Sequence, residues 1–312
     1  MTRFVTAVLC FFLFLSAGLP VSGQEKAIYE LPPWLILEYG KKAFEKPELG
    51  KQGELGFALR YAREAIEKRA YFYPEAEILI GDVFAAQGSI RLAIKQYEKA
   101  LDNAKQLYIQ DEKYEVYYKL AELYDQEYLV GIGADPEKEY REILETILED
   151  DEEYTEAMET NLGDALVNTL EEDGFDRLVI LYRLNSDFSL NAHSKFGMIH
   201  LDNGEYKQAA LHFIFVVLSV VSKAIEELQF HDPEYEFESS ESFFEACTRY
   251  DLIQNYFEET SLFSNMMDLG DAVAAEDDEK GMNDAEVARR IRELARTYSR
   301  DGRIISEVEE RM

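Results

Sequence analysis

The chain has 312 residues, of which 63 are acidic and 32 basic, giving a formal net charge of −31. It is 47% hydrophobic and 13% aromatic, the composition of a chain that folds rather than one that stays disordered. The charge argues against a nucleic-acid binder, which needs basic surface to displace counterions. It also disfavours docking on anionic lipid and points instead to basic partners or cations.

The first 23 residues, MTRFVTAVLCFFLFLSAGLPVSG, read as an export signal. Arg3 supplies the positive start, Phe4 to Leu19 the apolar run, and Val21-Ser22-Gly23 the small residues before a cut ahead of Gln24. A run of 16 residues is short for a membrane span, which takes about 20. The expected location is therefore the periplasm or cell envelope, with cleavage after Gly23 and membrane contact only through an uncleaved signal. Cleavage leaves Cys247 as the only cysteine, expected as a small buried core residue in SFFEACTRY.

After residue 30 the apolar residues recur at i, i+3, i+4 and i+7, the helical period, and no stretch alternates as a strand. Pro32-Pro33, Pro74 and Pro136 stand where helices begin, and Asp135 is placed to cap the last of these. Two distant segments share one pattern. Counting from Gly81, Phe84, Gly88, Ala93, Tyr97 and Ala100 lie 3, 7, 12, 16 and 19 residues on. From Gly197 the same offsets find His200, Gly204, Ala209, Phe213 and Val216. A bulky apolar residue precedes each glycine, Ile80 and Phe196.

This pattern resembles the tetratricopeptide repeat, a helix-turn-helix unit of 34 residues. The resemblance implies an all-α fold, with antiparallel helix pairs stacked into a right-handed superhelical solenoid. It covers residues 24–228 as a repeat domain of about five units, with 74–107 and 190–223 the clearest. Gly81, Phe84, Ala93, Tyr97, Ala100, Gly197, Ala209 and Phe213 then become the contacts between paired helices. Weaker units fall at Tyr39-Gly40 with Ala58, Ala62 and Ala65, and at Leu120-Ala121 with Leu144 and Ile147 after a turn through Gly131 and Gly133. Another has Leu166, Leu170, Gly174 and Val179, but Arg183 stands where an aromatic is expected. Residues 229–312 read as an acidic linker, QFHDPEYEFESSES, followed by C-terminal helices around Leu269-Gly270 that form a degenerate repeat or a cap with a polar outer face.

No pattern of catalytic residues emerges, and no enzyme, cofactor or metal is expected. VGIGADP has Pro136 where a dinucleotide loop wants glycine and reads as a turn. EDDEKGMNDAE fails as a calcium loop, because Val287 falls where the bidentate glutamate belongs. His193, His200 and His212 are close enough in the helical pattern for a metal cluster, but His200 occupies the slot of Phe84 and reads as packing.

In tetratricopeptide proteins the first helices line a concave groove. That face maps onto Asp82, then onto Glu115, Tyr118, Glu122 and Asp125, then onto Lys195, Met198 and Asp202. The first two sets carry acids and tyrosine but no base. The resemblance implies a non-enzymatic protein–protein interaction scaffold or adaptor of the bacterial cell envelope, holding a basic or neutral peptide segment in this groove. A ligand- or cation-binding accessory protein of a solute transport system is the alternative.

Overall fold

The computed structural model describes residues 31–45, 51–69, 72–124, 136–276 and 283–300. Among them the structure is entirely helical, with fifteen α-helices, two short 3-10 turns and no strand. The export segment 1–23, Asp125, Gly131, Gly133, Asp135 and most of the candidate calcium loop lie outside the described residues. The helices group into two compact units, residues 1–126 and 127–312.

The first unit holds α1 (Pro33–Glu45), α2 (Lys51–Lys68), α3 (Pro74–Ala86), α4 (Ile90–Asp102) and α5 (Glu112–Tyr124). Each packs on the next in chain order, and α1 also touches α3. Pro74 opens α3, where its missing N–H costs nothing. Gly88 ends the α3–α4 hairpin turn at φ +72°, a left-handed conformation that glycine adopts without strain. The Ser89 N–H closes back on the Phe84 carbonyl at 2.8 Å.

Gly81 lies against the Tyr97 ring, and a Cβ built there would sit 2.6 Å from Tyr97 Cδ1. The glycine is thus required by the close approach of α3 and α4, which outweighs its cost of about 1 kcal/mol in helix propensity. Ala93, Tyr97 and Ala100 are fully buried along α4, while Phe84 packs on the edge of the Ile36–Ile80 core. Gly40 plays a similar part in α1, where a Cβ would meet Leu79 Cδ2 at 2.9 Å and Tyr61 Cβ at 3.3 Å. Ala58, Ala62 and Ala65, the small residues of α2, are all buried.

The second unit contains α6 (Pro136–Glu149), α7 (Glu152–Glu159), α8 (Leu162–Asp173), α9 (Phe175–Leu181), α10 (Leu190–Asp202), α11 (Tyr206–His231), α12 (Ser240–Cys247), α13 (Asp251–Glu259), α14 (Leu262–Glu276) and α15 (Asn283–Tyr298). The α10–α11 hairpin repeats the geometry of α3–α4. Gly204 turns at φ +75°, the Glu205 N–H returns to the His200 carbonyl at 2.8 Å, and a Cβ at Gly197 would lie 2.7 Å from Phe213 Cε1.

The rest of this unit departs from the pattern. Helix α11 runs for 26 residues, past the length of a repeat helix, and is the core of the unit. Ala209 to Ile225 is buried nearly all round, against α8, α9, α10, α12, α13 and α14. A helix apolar on every face must be enclosed. It is long and apolar enough to cross a membrane, but 83% of its most apolar window is buried by the surrounding helices.

Within QFHDPEYEFESSES, Gln229 to His231 still belong to α11, and α12 starts from a Ser239 capping box, so the connection between the helices is residues 232–239. Helices beyond the break nevertheless share one core with those before it: Phe243, Phe257, Met266 and Ile291 belong to the same cluster as Leu170 and Phe213. The unit at Leu166 has only a short second helix, α9, and Arg183 and Ser186 lie after its end. Cys247 is buried, and burial pushes its thiol up to about 12.

Gly81→Ala is expected to lower stability by about 1–3 kcal/mol through overpacking, despite the gain in helix propensity. Adding Tyr97→Leu should remove most of that penalty in a double-mutant cycle measured by chemical denaturation. A Gly81→Ala variant as stable as wild type would show that the approach is not tight.

Candidate functional site

In the first unit α1, α3 and α5 together line a pocket of about 200 Å³. Its walls are Phe44, Ile78, Leu79 and Val116, and its charged groups are Glu45, Glu75, Asp82, Glu112 and Glu115 against Lys41 and Lys119. Of the sequence-derived groove residues, Asp82 and Glu115 are here. Tyr118 is half-buried and Glu122 exposed on the same helix. Lys195, Met198 and Asp202 are exposed on α10, in the other unit.

The pocket also holds two bases from outside the mapped positions, Lys41 and Lys119. Lys119 follows Glu115 by one helical turn and reaches both Glu115 at 2.8 Å and Asp82 at 3.1 Å. Burial opposes its charge, but the Asp82 carboxylate and the hydrogen bonds to Glu115 and Asp82 outweigh it and raise its pKa above the ordinary value. Asp82 also accepts a hydrogen bond from the Tyr97 hydroxyl at 2.8 Å. Desolvation first, then the nearby Asp82 charge, raises the Tyr97 pKa. Asp82 is therefore internally satisfied, and the excess negative charge of the pocket resides in its glutamates.

Glu75 and Glu112 are the groups the sequence reading missed. Glu75 sits in the first turn of α3, where the helix dipole favours an acid, and its Oε1 accepts the Tyr108 N–H at 2.8 Å. Glu112 is held above the usual carboxylate range, mainly by burial; Lys41 works against this, and Glu75 and Glu115 add to it. Both fall one or more turns outside the strip of positions assigned to the groove, so only their approach across helices reveals them.

The second unit holds a buried polar line. Asp151 caps α7 by accepting the Tyr154 N–H at 3.1 Å, and it also accepts the hydroxyls of Ser186 and Ser189. Its Oδ2 faces His193 Nε2 at 3.4 Å, and His193 Nδ1 lies 2.9 Å from His212 Nδ1. A carboxylate only accepts, so Nε2 of His193 carries the proton and its bare Nδ1 accepts from Nδ1–H of His212. Desolvation works against the Asp151 charge, but the bonds from His193, Ser189, Tyr154 and Ser186 bring its pKa down to about 2.

Burial lowers both histidine pKa values. The Asp151 contacts oppose this at His193, whereas His193 and His200 add to it at His212. Tyr154, Phe196 and Phe215 enclose the pair, and His200 stacks on His212 while its Nδ1 faces Glu205 at 2.6 Å. Chemically this is a structural network. The serine hydroxyls donate to Asp151 rather than to an imidazole, so neither is activated as a nucleophile. The two facing Nδ1 atoms satisfy each other, and no group of three ligating side chains converges among the described residues.

No protein-family model matches the chain. An uncharacterized protein of Borreliella burgdorferi is similar, 23% identical over 287 residues, with 86% of this chain and 86% of that protein covered.

The buried pair predicts a pH dependence. Unfolded histidine takes up a proton near its ordinary pKa of 6.5, whereas folded His193 and His212 resist it. The stability they contribute is present above pH 6.5 and is lost as pH falls below it, because the unfolded state binds more protons. His212→Phe should reduce the slope of unfolding free energy against pH between 6.5 and 5 by about one proton relative to wild type. Denaturant titrations at several pH values check this, and parallel slopes would refute it.

Proposed function

We propose that the helix pairs are tetratricopeptide-like repeats stacked as a right-handed solenoid, and that the chain is an exported, non-enzymatic interaction scaffold of the cell envelope. The partner is a protein carrying a basic or neutral segment. The observation that carries this reading is the acidic pocket, whose walls come from the alternate helices α1, α3 and α5. The repeated Gly81–Tyr97 and Gly197–Phe213 contacts support the repeat assignment. The likeness to an uncharacterized protein adds no activity to it.

Alternate helices meeting at one concave wall place side chains from several turns against a single docked segment, which recognises a helix or an extended chain. A net excess of glutamate steers basic segments in and repels carboxylate-ended ones. Glu115 and Glu122 are the exposed acids that meet the segment first. The double substitution Glu115→Lys with Glu122→Lys is expected to weaken binding to an immobilised lysine-rich helical peptide about tenfold, chiefly through the association rate. Wild-type binding should itself fall as salt rises. Biolayer interferometry measures both, and unchanged affinity in the double variant would sink the assignment.

A further inference from the structure

We propose that the pocket between α1, α3 and α5 is a seat for one cationic head group, the ammonium or guanidinium of a single lysine or arginine in the docked segment. This rests on the groove reading above and names the feature recognised there.

Glu75 lines the pocket and is only 9% exposed. One carboxylate oxygen is used by the Tyr108 N–H, and the other, Oε2, is buried with no hydrogen-bond partner. The guanidinium of Arg69 forms a long ion pair with it at 3.9 Å, too far to donate a hydrogen bond. A buried carboxylate oxygen without a donor is costly, and a docked N–H donor would relieve it. Glu112, in the same pocket, is kept above its usual carboxylate range chiefly by burial, with Glu75 among the charges that add to the effect. A cation between Glu75 and Glu112 would relieve both.

Lys119 is engaged with Asp82 and Glu115. Lys41, also in the wall, lowers the Glu112 value without offsetting its burial, and Glu45 adds a further acid; Phe44, Ile78, Leu79 and Val116 are apolar. They suit the methylene stem of a long basic side chain whose charge sits at the far end, and they do not suit a hydrated metal ion, which needs a shell of oxygen ligands.

The test uses the full chain, N-acetyl-lysine methylamide, and its uncharged near-isostere N-acetyl-norleucine methylamide. The reporter is the Tyr108 amide, which hydrogen-bonds to Glu75. The lysine probe should shift this amide saturably and lower the apparent pKa of Glu112; the norleucine probe should do neither. Glu75→Gln keeps an acceptor for the Tyr108 N–H but removes the charge, and should weaken the lysine probe about tenfold. Glu112→Gln, on a less buried side chain, should do the same and guards against a folding defect at Glu75. Equal responses to the two probes, or unchanged affinity in both variants, overturn the proposal. A lysine-rich helical peptide that binds wild type and both variants alike overturns the seat while leaving the groove in place. Failure of every basic peptide to bind overturns both.

Discussion

The helix hairpins depend on the contact between a glycine and an aromatic ring sixteen residues later. Helices approach closely only where one contributes no side chain, and a ring on the partner then fills the space at interior density. Gly81 with Tyr97 and Gly197 with Phe213 do this in separate units. The turn glycines Gly88 and Gly204, each seven residues after the first, set the reversal that brings ring and glycine together. Without that reversal, the alanines at 93, 100 and 209 would have no facing helix to bury against.

The two units use the hairpin differently. In the first, short helices pack in succession and leave the faces of α1, α3 and α5 lining an acidic pocket. In the second, the hairpin's later helix is extended into a buried axis around which the other helices gather. Such an axis excludes water along its length, so the polar groups of α10 and α11 must find protein partners, one of them the N-cap of α7. The Asp151–His193–His212 line meets that need. Its polarity is tolerated because every facing atom has a defined donor or acceptor role.

Much of this was legible in the residues. The all-helical class follows from the apolar period, and the two hairpins follow from the shared offsets, which work because glycine, alanine and aromatic positions each have one steric meaning there. Less local features were hidden. The length of α11 was visible only as a continuous apolar run, and whether such a run ends a repeat or forms a core is decided by helices far along the chain. The shared core of Phe243 and Ile291 with Leu170 involves separations that periodicity does not report. The site was half legible. Asp82 and Glu115 were found by their helical face, whereas Lys119, Glu75 and Glu112 enter the pocket at the edge of that face, where side-chain length and the neighbouring helix determine what points inward. His193 and His212 were placed on paired helices, but their mutual hydrogen bond required the register of those helices in space.

The Tyr97 hydroxyl carries a further consequence. The ring that fills the gap over Gly81 also reaches Asp82, the residue beside that glycine, so the packing contact and the wall of the pocket are one object. In the second hairpin the same two slots hold Phe213 and Met198. The hydroxyl and its acceptor are both missing there, while the apolar ring remains over its glycine. The two hairpins thus fill the same pair of slots differently: a hydrogen-bonded phenol and carboxylate in one, an apolar ring and a methionine in the other. The two groups are not equivalent in this: without its carboxylate the buried Tyr97 hydroxyl would lose its acceptor, whereas Asp82 without the phenol would still hold Lys119.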